Sequence, residues 1–181
     1  MHNKFKEDKS RMKIVVNTRF LIKNKLEGMG VFTAETFRRI SRNHPDHQFI
    51  FLFDRAFDQE FIFSENVKGI VLHPPARHPF LWYIWFEWSV RKFLNRSKAD
   101  LFISCDGYLP LKSKTKSLTV IHDLAFEHYP KDIPILVRLY YRHFFPKFAK
   151  KADRIASVSE FSKKDICEWY SIKPDKIDAH N

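Results

Sequence analysis

The stretch SLTVIHDLAFEHYP, Ser117 to Pro130, carries the reading of the fold. Leu118, Val120 and Ile121 suit a strand buried on both faces, because the run is apolar without strict alternation. It stops on an imidazole and a carboxylate, His122 and Asp123. In an open parallel sheet the carboxyl ends of the strands are where loops leave and ligands bind, so a buried strand ending in polar groups points to a site there. The outward question is whether other strands end the same way.

They do. Ile14 to Asn17 is a β-branched run that leads into Thr18 and Arg19. HQFIFLF, residues 47–53, and GIVLHP, residues 69–74, make a second and a third strand, and DLFISCDG, residues 100–107, makes a fourth. SLTVIHD is the fifth and DRIASVSE, residues 153–160, the sixth. Cys105, Asp106, Gly107 and Tyr108 follow the fourth strand, while Ser159 and Glu160 follow the sixth.

Helical patterns separate the strands. Val31, Ala34, Phe37 and Ile40 to Ser41 recur with helical period, which predicts a first helix with those residues inward. HPFLWYIWFEWSVRKFLNRSKAD, residues 78–100, starts with a proline near the first helical position and ends in basic residues. KDIPILVRLYYRHFFPKFAKKAD, residues 131–153, sets Leu136, Leu139, Tyr140, Phe144 and Phe148 on one stripe, with Pro146 expected to kink or divide it. Alternation of this kind predicts a three-layer, doubly wound α/β domain of Rossmann type, mostly parallel, with helices on both faces.

Composition sets the bounds. The chain has 181 residues, 44% hydrophobic and 29% charged, with 19 phenylalanines, which suits one packed domain over residues 12–181. Residues 1–11, MHNKFKEDKSR, read as a polar leader without the apolar core of a secretory signal. A net charge of +11 favours polyanions: nucleic acid, an anionic membrane face or a phosphorylated substrate. Neither helix-turn-helix spacing nor an RNP-type aromatic strand is present, so nucleic acid ranks last. Two cysteines without CxxC spacing argue against zinc and for a reduced, cytoplasmic setting.

EGMGVFT, residues 27–33, places Gly28, Met29 and Gly30 just before the first helix, where free N–H groups and the helix dipole can hold a phosphate. The third glycine of the dinucleotide fingerprint is missing and the loop from the strand is long, which disfavours a nicotinamide cofactor. Each candidate also has a plain structural use. His122 can be a hydrogen-bonded strand-end residue, Asp123 a turn cap, the glycines a sharp loop, and Ser159 an ordinary helix cap. Trp82, Trp85 and Trp88, spaced by three, suit one side of a helix packed in the core; exposed beside Arg91 and Lys92 they suit a membrane surface instead.

The series VIHDLAFEHYP, then RLYYRHFFPKFAKKADRIASVSEFSKKDI, then IKPDKI resembles the amino-terminal half of a group 1, family 4 retaining glycosyltransferase of GT-B architecture. The likeness runs from MKIVVNTRFL at Met12 to Ile177. It implies a nucleotide diphosphate sugar as donor substrate, no separate cofactor and no metal. It sets Gly28, Met29 and Gly30 near the donor diphosphate, and His122 with Asp123 at the catalytic position beside the transferred sugar. Arg19, Asp106, Gly107, Tyr108, Ser159 and Glu160 would border a glycan or lipid-linked acceptor. Members of the family continue past a KI-x-V-x-x-N-G segment into a second, donor-binding domain, whereas this sequence reads KIDAHN. The expectation is therefore an acceptor-side domain that is inactive alone and works with a donor-side partner domain, at the inner face of the membrane. The alternative is a non-catalytic basic module for an anionic membrane or a protein partner.

Overall fold

A computed structural model describes residues 11–179. The polar leader expected over residues 1–11 lies, apart from Arg11, outside the described residues.

Seven parallel strands form one sheet in the order β3-β2-β1-β4-β5-β6-β7. They are β1 (Lys13–Asn17), β2 (Gln48–Phe53), β3 (Val67–Val71), β4 (Leu101–Ser104), β5 (Lys116–Ile121), β6 (Arg154–Ser157) and β7 (Ile177–Ala179). The six strands expected from the sequence are all present. The short β7 was not foreseen, because three residues after the 3-10 turn Pro174–Lys176 carry no periodic signal; pairing Ile155 with Ile177 along β6 makes them a strand.

Each strand sends alternate side chains to opposite faces. Val15, Ile50, Leu52, Phe102, Ile121 and Ile155 point to one face, with Trp85, Phe86, Phe148 and Ile166 packed on them. Ile14, Val16, Phe49, Phe51 and Phe53 point to the other, under Ala34 and Phe37 of α1 (Gly28–Asn43). The first face is covered by α2 (Pro79–Ile84), a π-helical segment (Trp85–Val90), α3 (Arg91–Ser97), α5 (Ile135–Lys151) and α6 (Glu160–Tyr170). The short α4 (Ala125–His128) joins them after β5. This is the three-layer Rossmann-type α/β arrangement expected. Among the described residues no helix is long and apolar enough to cross a membrane.

Three details differ from the sequence pattern. In α1 the buried residues are Gly30, Thr33, Ala34, Phe37 and Ser41, and Val31 is half exposed, so the inward stripe is rotated by about one residue. In α5 the buried residues are Tyr140, Phe145, Phe148 and Ala149; Leu136 and Leu139, expected inside, are each 58% exposed, and Leu136 lines an open groove with Phe80, Tyr83 and Phe144. Pro146 does not divide α5, which runs unbroken through it with Phe145 and Phe148 buried.

The three tryptophans part company as well. Trp85 is fully buried and Trp82 partly so, while Trp88 is 66% exposed. The π-helical segment widens the turn between Trp85 and Val90, so a three-residue spacing no longer keeps one azimuth. With Trp85 and Phe86 in the core, the cluster of exposed tryptophans considered for a membrane surface does not exist.

Candidate functional site

The chain crosses from the β3 side back to β4, so the strand order reverses between β1 and β4. Loops diverge at such a point and leave a crevice beyond the carboxyl ends. Most of the sequence candidates lie along this edge.

His122 follows β5 directly and is partly buried. Its Nε2 lies 2.9 Å from the carbonyl oxygen of Cys105 at the end of β4. A carbonyl only accepts, so Nε2 carries the hydrogen, and in the neutral ring Nδ1 is then the nitrogen with the lone pair. The hydroxyl of Ser162 donates to the His122 carbonyl at 2.8 Å, and the edge of Phe32 from α1 meets the ring at 5.1 Å between centroids. Cys105 and Phe32 thus hold the imidazole, and Ser162 its backbone. Asp123 is exposed, and its Oδ1 accepts from the Ala125 N–H at 2.9 Å, which is the turn-capping arrangement.

Beneath the crevice is a buried polar cluster. Asp106 accepts from Arg19 Nε at 2.7 Å, Asn17 Nδ2 at 2.8 Å and Ser104 Oγ at 2.7 Å. Burial by itself would lower the pKa of Arg19, but Asp106 and Tyr108 reverse this and the net shift is upward. The guanidinium also sits 4.4 Å from the centroid of the Tyr108 ring. Tyr108 is packed among Phe86, Tyr140 and Phe145, and burial raises its phenol pKa. Arg19, Asp106 and Tyr108 therefore stand under the crevice, tying β1 to β4, and present little surface of their own. Gly107 has φ +86, and a Cβ there would come within 2.8 Å of Phe145.

The glycine loop divides in two. Gly28 opens α1 with φ +23, and a Cβ there would meet nothing within 4 Å, whereas a Cβ on Gly30 would lie 2.7 Å from the Phe20 carbonyl oxygen. Gly30 is thus needed for packing, and Gly28 with Met29 faces outward. The N-cap, Glu27, makes no side-chain cap bond, so the first N–H groups of α1 keep no partner of that kind. Phe32, one turn further on, touches His122. The glycines and the imidazole therefore share one rim.

Ser159 caps α6, accepting from the Ser162 N–H at 3.1 Å, and Glu160 is exposed in its first turn. Cys105 is buried behind His122, and burial pushes its thiol up to about 12 despite a bond with Thr33. Among the described residues no group of three or more His, Cys, Asp or Glu is gathered as for a metal ion.

Sequence reasoning missed Asp54 and Arg55, which follow β2 on the same edge. Asp54 is fully buried; it accepts two bonds from Arg55, at 2.6 and 2.7 Å, and a third from the Ala76 N–H at 2.9 Å. The bond to Asp54 is the largest influence raising the Arg55 pKa. The strand-end rule that selected Asn17 and His122 reaches this pair too, once FLFDR is read as a strand running into its loop. A basic hollow lined by Lys150, Arg154, Lys173 and Lys176 lies at the opposite, amino end of β6 and is no part of this site.

The family model for Glycosyltransferase Family 4 matches residues 26–179. No curated protein matches the chain. Among solved structures it resembles a glycosyltransferase from Rickettsia africae ESF-5, with 18% identity, TM-score 0.54, and 94% of this chain covering 42% of that one. The apo form of the lipopolysaccharide outer core galactosyltransferase WaaB gives 13% identity and TM-score 0.57, over 92% of this chain and 44% of that one. A UDP-GlcNAc 2-epimerase from Neisseria meningitidis, bound to UDP-GlcNAc, gives 12% and 0.58, over 93% and 46%. At these identities the likeness shows the fold alone. The chain spans less than half the length of each of these structures.

Proposed function

The chain belongs to glycosyltransferase family 4, and from that premise we propose that it is the acceptor-side half of an enzyme transferring a sugar, with retention, from a nucleotide diphosphate sugar to a hydroxyl. The observation that supports this best is the shared rim of His122 and the open end of α1, bridged by Phe32. The N–H groups of Gly28 and Met29, with the positive end of the α1 dipole, take charge from the departing diphosphate. That assigns charge compensation to the helix end and basic side chains, with no separate cofactor.

His122 offers the lone pair of Nδ1 to a hydroxyl of the transferred sugar and so orients it as the anomeric centre becomes cationic. Asp123 holds the turn that presents the imidazole. Gly107 shapes the acceptor wall, Arg19, Asp106 and Tyr108 keep it rigid from below, and Ser159 and Glu160 form its far rim. The donor's nucleotide falls to a second domain joined in cis or trans. The setting is the cytoplasm, at the membrane face. A basic module without catalysis is the less favoured reading, since the family match covers the candidate groups from Gly28 to Glu160.

The test joins this chain to a donor-binding domain of the family and follows sugar transfer. The isolated chain folds without turnover; the fusion transfers, and His122→Ala lowers kcat about 100-fold with an unchanged melting curve. Full turnover by the His122→Ala fusion removes the imidazole from the mechanism.

A further inference from the structure

We propose that the acceptor is an anionic amphiphile, its phosphate held by Arg55 and Arg77 and its hydrocarbon laid in the groove between α2 and α5. This rests on the reading above that this half of the crevice takes the acceptor.

The cationic part is built, and its core is buried. Asp54 is 0% exposed and clamps Arg55 through two bonds, while its third bond fixes Ala76, next to Arg77. A guanidinium has five N–H donors, so Arg55 keeps three beyond those used by Asp54, on a side chain that is 31% exposed. Arg77 is exposed, and among the described residues its side chain enters no ion pair. Two arginines, one held rigid, suit the oxygens of a phosphate.

The apolar part follows it directly in the chain. His78, one residue after Arg77, begins a groove of about 440 Å³ continued by Phe80, Tyr83, Leu136, Tyr140 and Phe144. Phe80 is 67% and Leu136 58% exposed, a heavy apolar exposure for two helix starts on the edge that carries the site. Charge favours an anionic occupant. Residues 135–151 contain no acid, and in residues 79–97 the one acid, Glu87, is 4% exposed; Asp132 precedes α5. Between β2, which carries Arg55, and β5, which carries His122, there are three strand spacings, roughly 14 Å. That leaves room for a sugar between the phosphate and the reacting centre.

The test titrates the full 181-residue chain, labelled with nitrogen-15, with three probes. They are monomeric dihexanoyl phosphatidic acid, dihexanoyl phosphatidylcholine and inorganic phosphate. Phosphatidic acid is expected to shift amides at both Arg55 to Arg77 and Phe80 to Leu136, and to bind about ten-fold more tightly than phosphatidylcholine. Inorganic phosphate should shift the arginine loop alone. Arg77→Ala should weaken phosphatidic acid about five-fold and leave phosphatidylcholine unchanged, whereas Leu136→Ser weakens both lipids.

Arg55→Lys, which keeps a partner for Asp54, should weaken phosphatidic acid too. Equal affinity for the two lipids overturns the proposal. So do shifts confined to the Trp88 and Arg91 surface, or no binding of either monomeric lipid. No donor enters this titration, so its failure beside an active fusion enzyme sinks the acceptor assignment and leaves sugar transfer standing.

Discussion

At the scale of single residues, the crevice is set by groups that do not reach it. Arg19 and Asp106 are 6% exposed each, and their pairing decides where β1 and β4 stop diverging. Removing one member strands the other in a medium that solvates charge poorly. Arg19→Met is therefore expected to cost about 3–5 kcal/mol in urea unfolding. Arg39→Met, which breaks an exposed pair with Glu35, should cost less than about 1 kcal/mol. Equal losses from the two would mean that burial of the first pair is not what gives it weight.

At the scale of elements, the helix of residues 79–97 shows how local geometry redirects a pattern. Three tryptophans at equal spacing reach three environments because a π-helical segment lies among them. Trp85→Ala should destabilise the fold by about 3–5 kcal/mol, while Trp88→Ala should stay within about 0.5 kcal/mol. Thermal or urea unfolding of the two variants separates them. The same segment buries Glu87, whose carboxylate accepts from the N–H groups of Leu111 and Lys112 and so pins the long loop between β4 and β5. α5 makes the opposite point: its stripe was legible, but with Leu136 and Leu139 exposed only the stripe from Tyr140 onward is buried.

At the scale of the whole molecule, titration reports how dry the sheet interior is. The Cys105 thiol is held at about 12 by burial, and burial likewise raises Tyr108, Tyr140 and Tyr170. A folded pKa above the unfolded one means that the folded state holds its proton more tightly. That stability is whole below pH 9 and is lost as pH climbs toward 12, at about 1.4 kcal/mol per pH unit for Cys105 alone. Urea midpoints should fall between pH 9 and 12, and Cys105→Ala should flatten the early part of the fall. A midpoint rising over that range would contradict the burial. How much of this was written in the sequence differs by residue. Six strands, their parallel sense and the candidates at their ends followed from apolar runs that stop on polar groups, because a strand covered on both faces has to be apolar throughout. His122 was singled out that way and Gly28 by its place just before the first helix, while Asp54 and Arg55 lay within reach of the strand-end rule. What the sequence determined by itself was the layered α/β plan, since periodicity and chain direction are local properties. Only the tertiary structure decided that Arg19, Asp106 and Tyr108 lie under the site, that Gly30 serves packing while Gly28 faces open space, and that Leu136 is outside. Those outcomes depend on which neighbour removes water from a side chain, and that neighbour comes from a distant part of the chain.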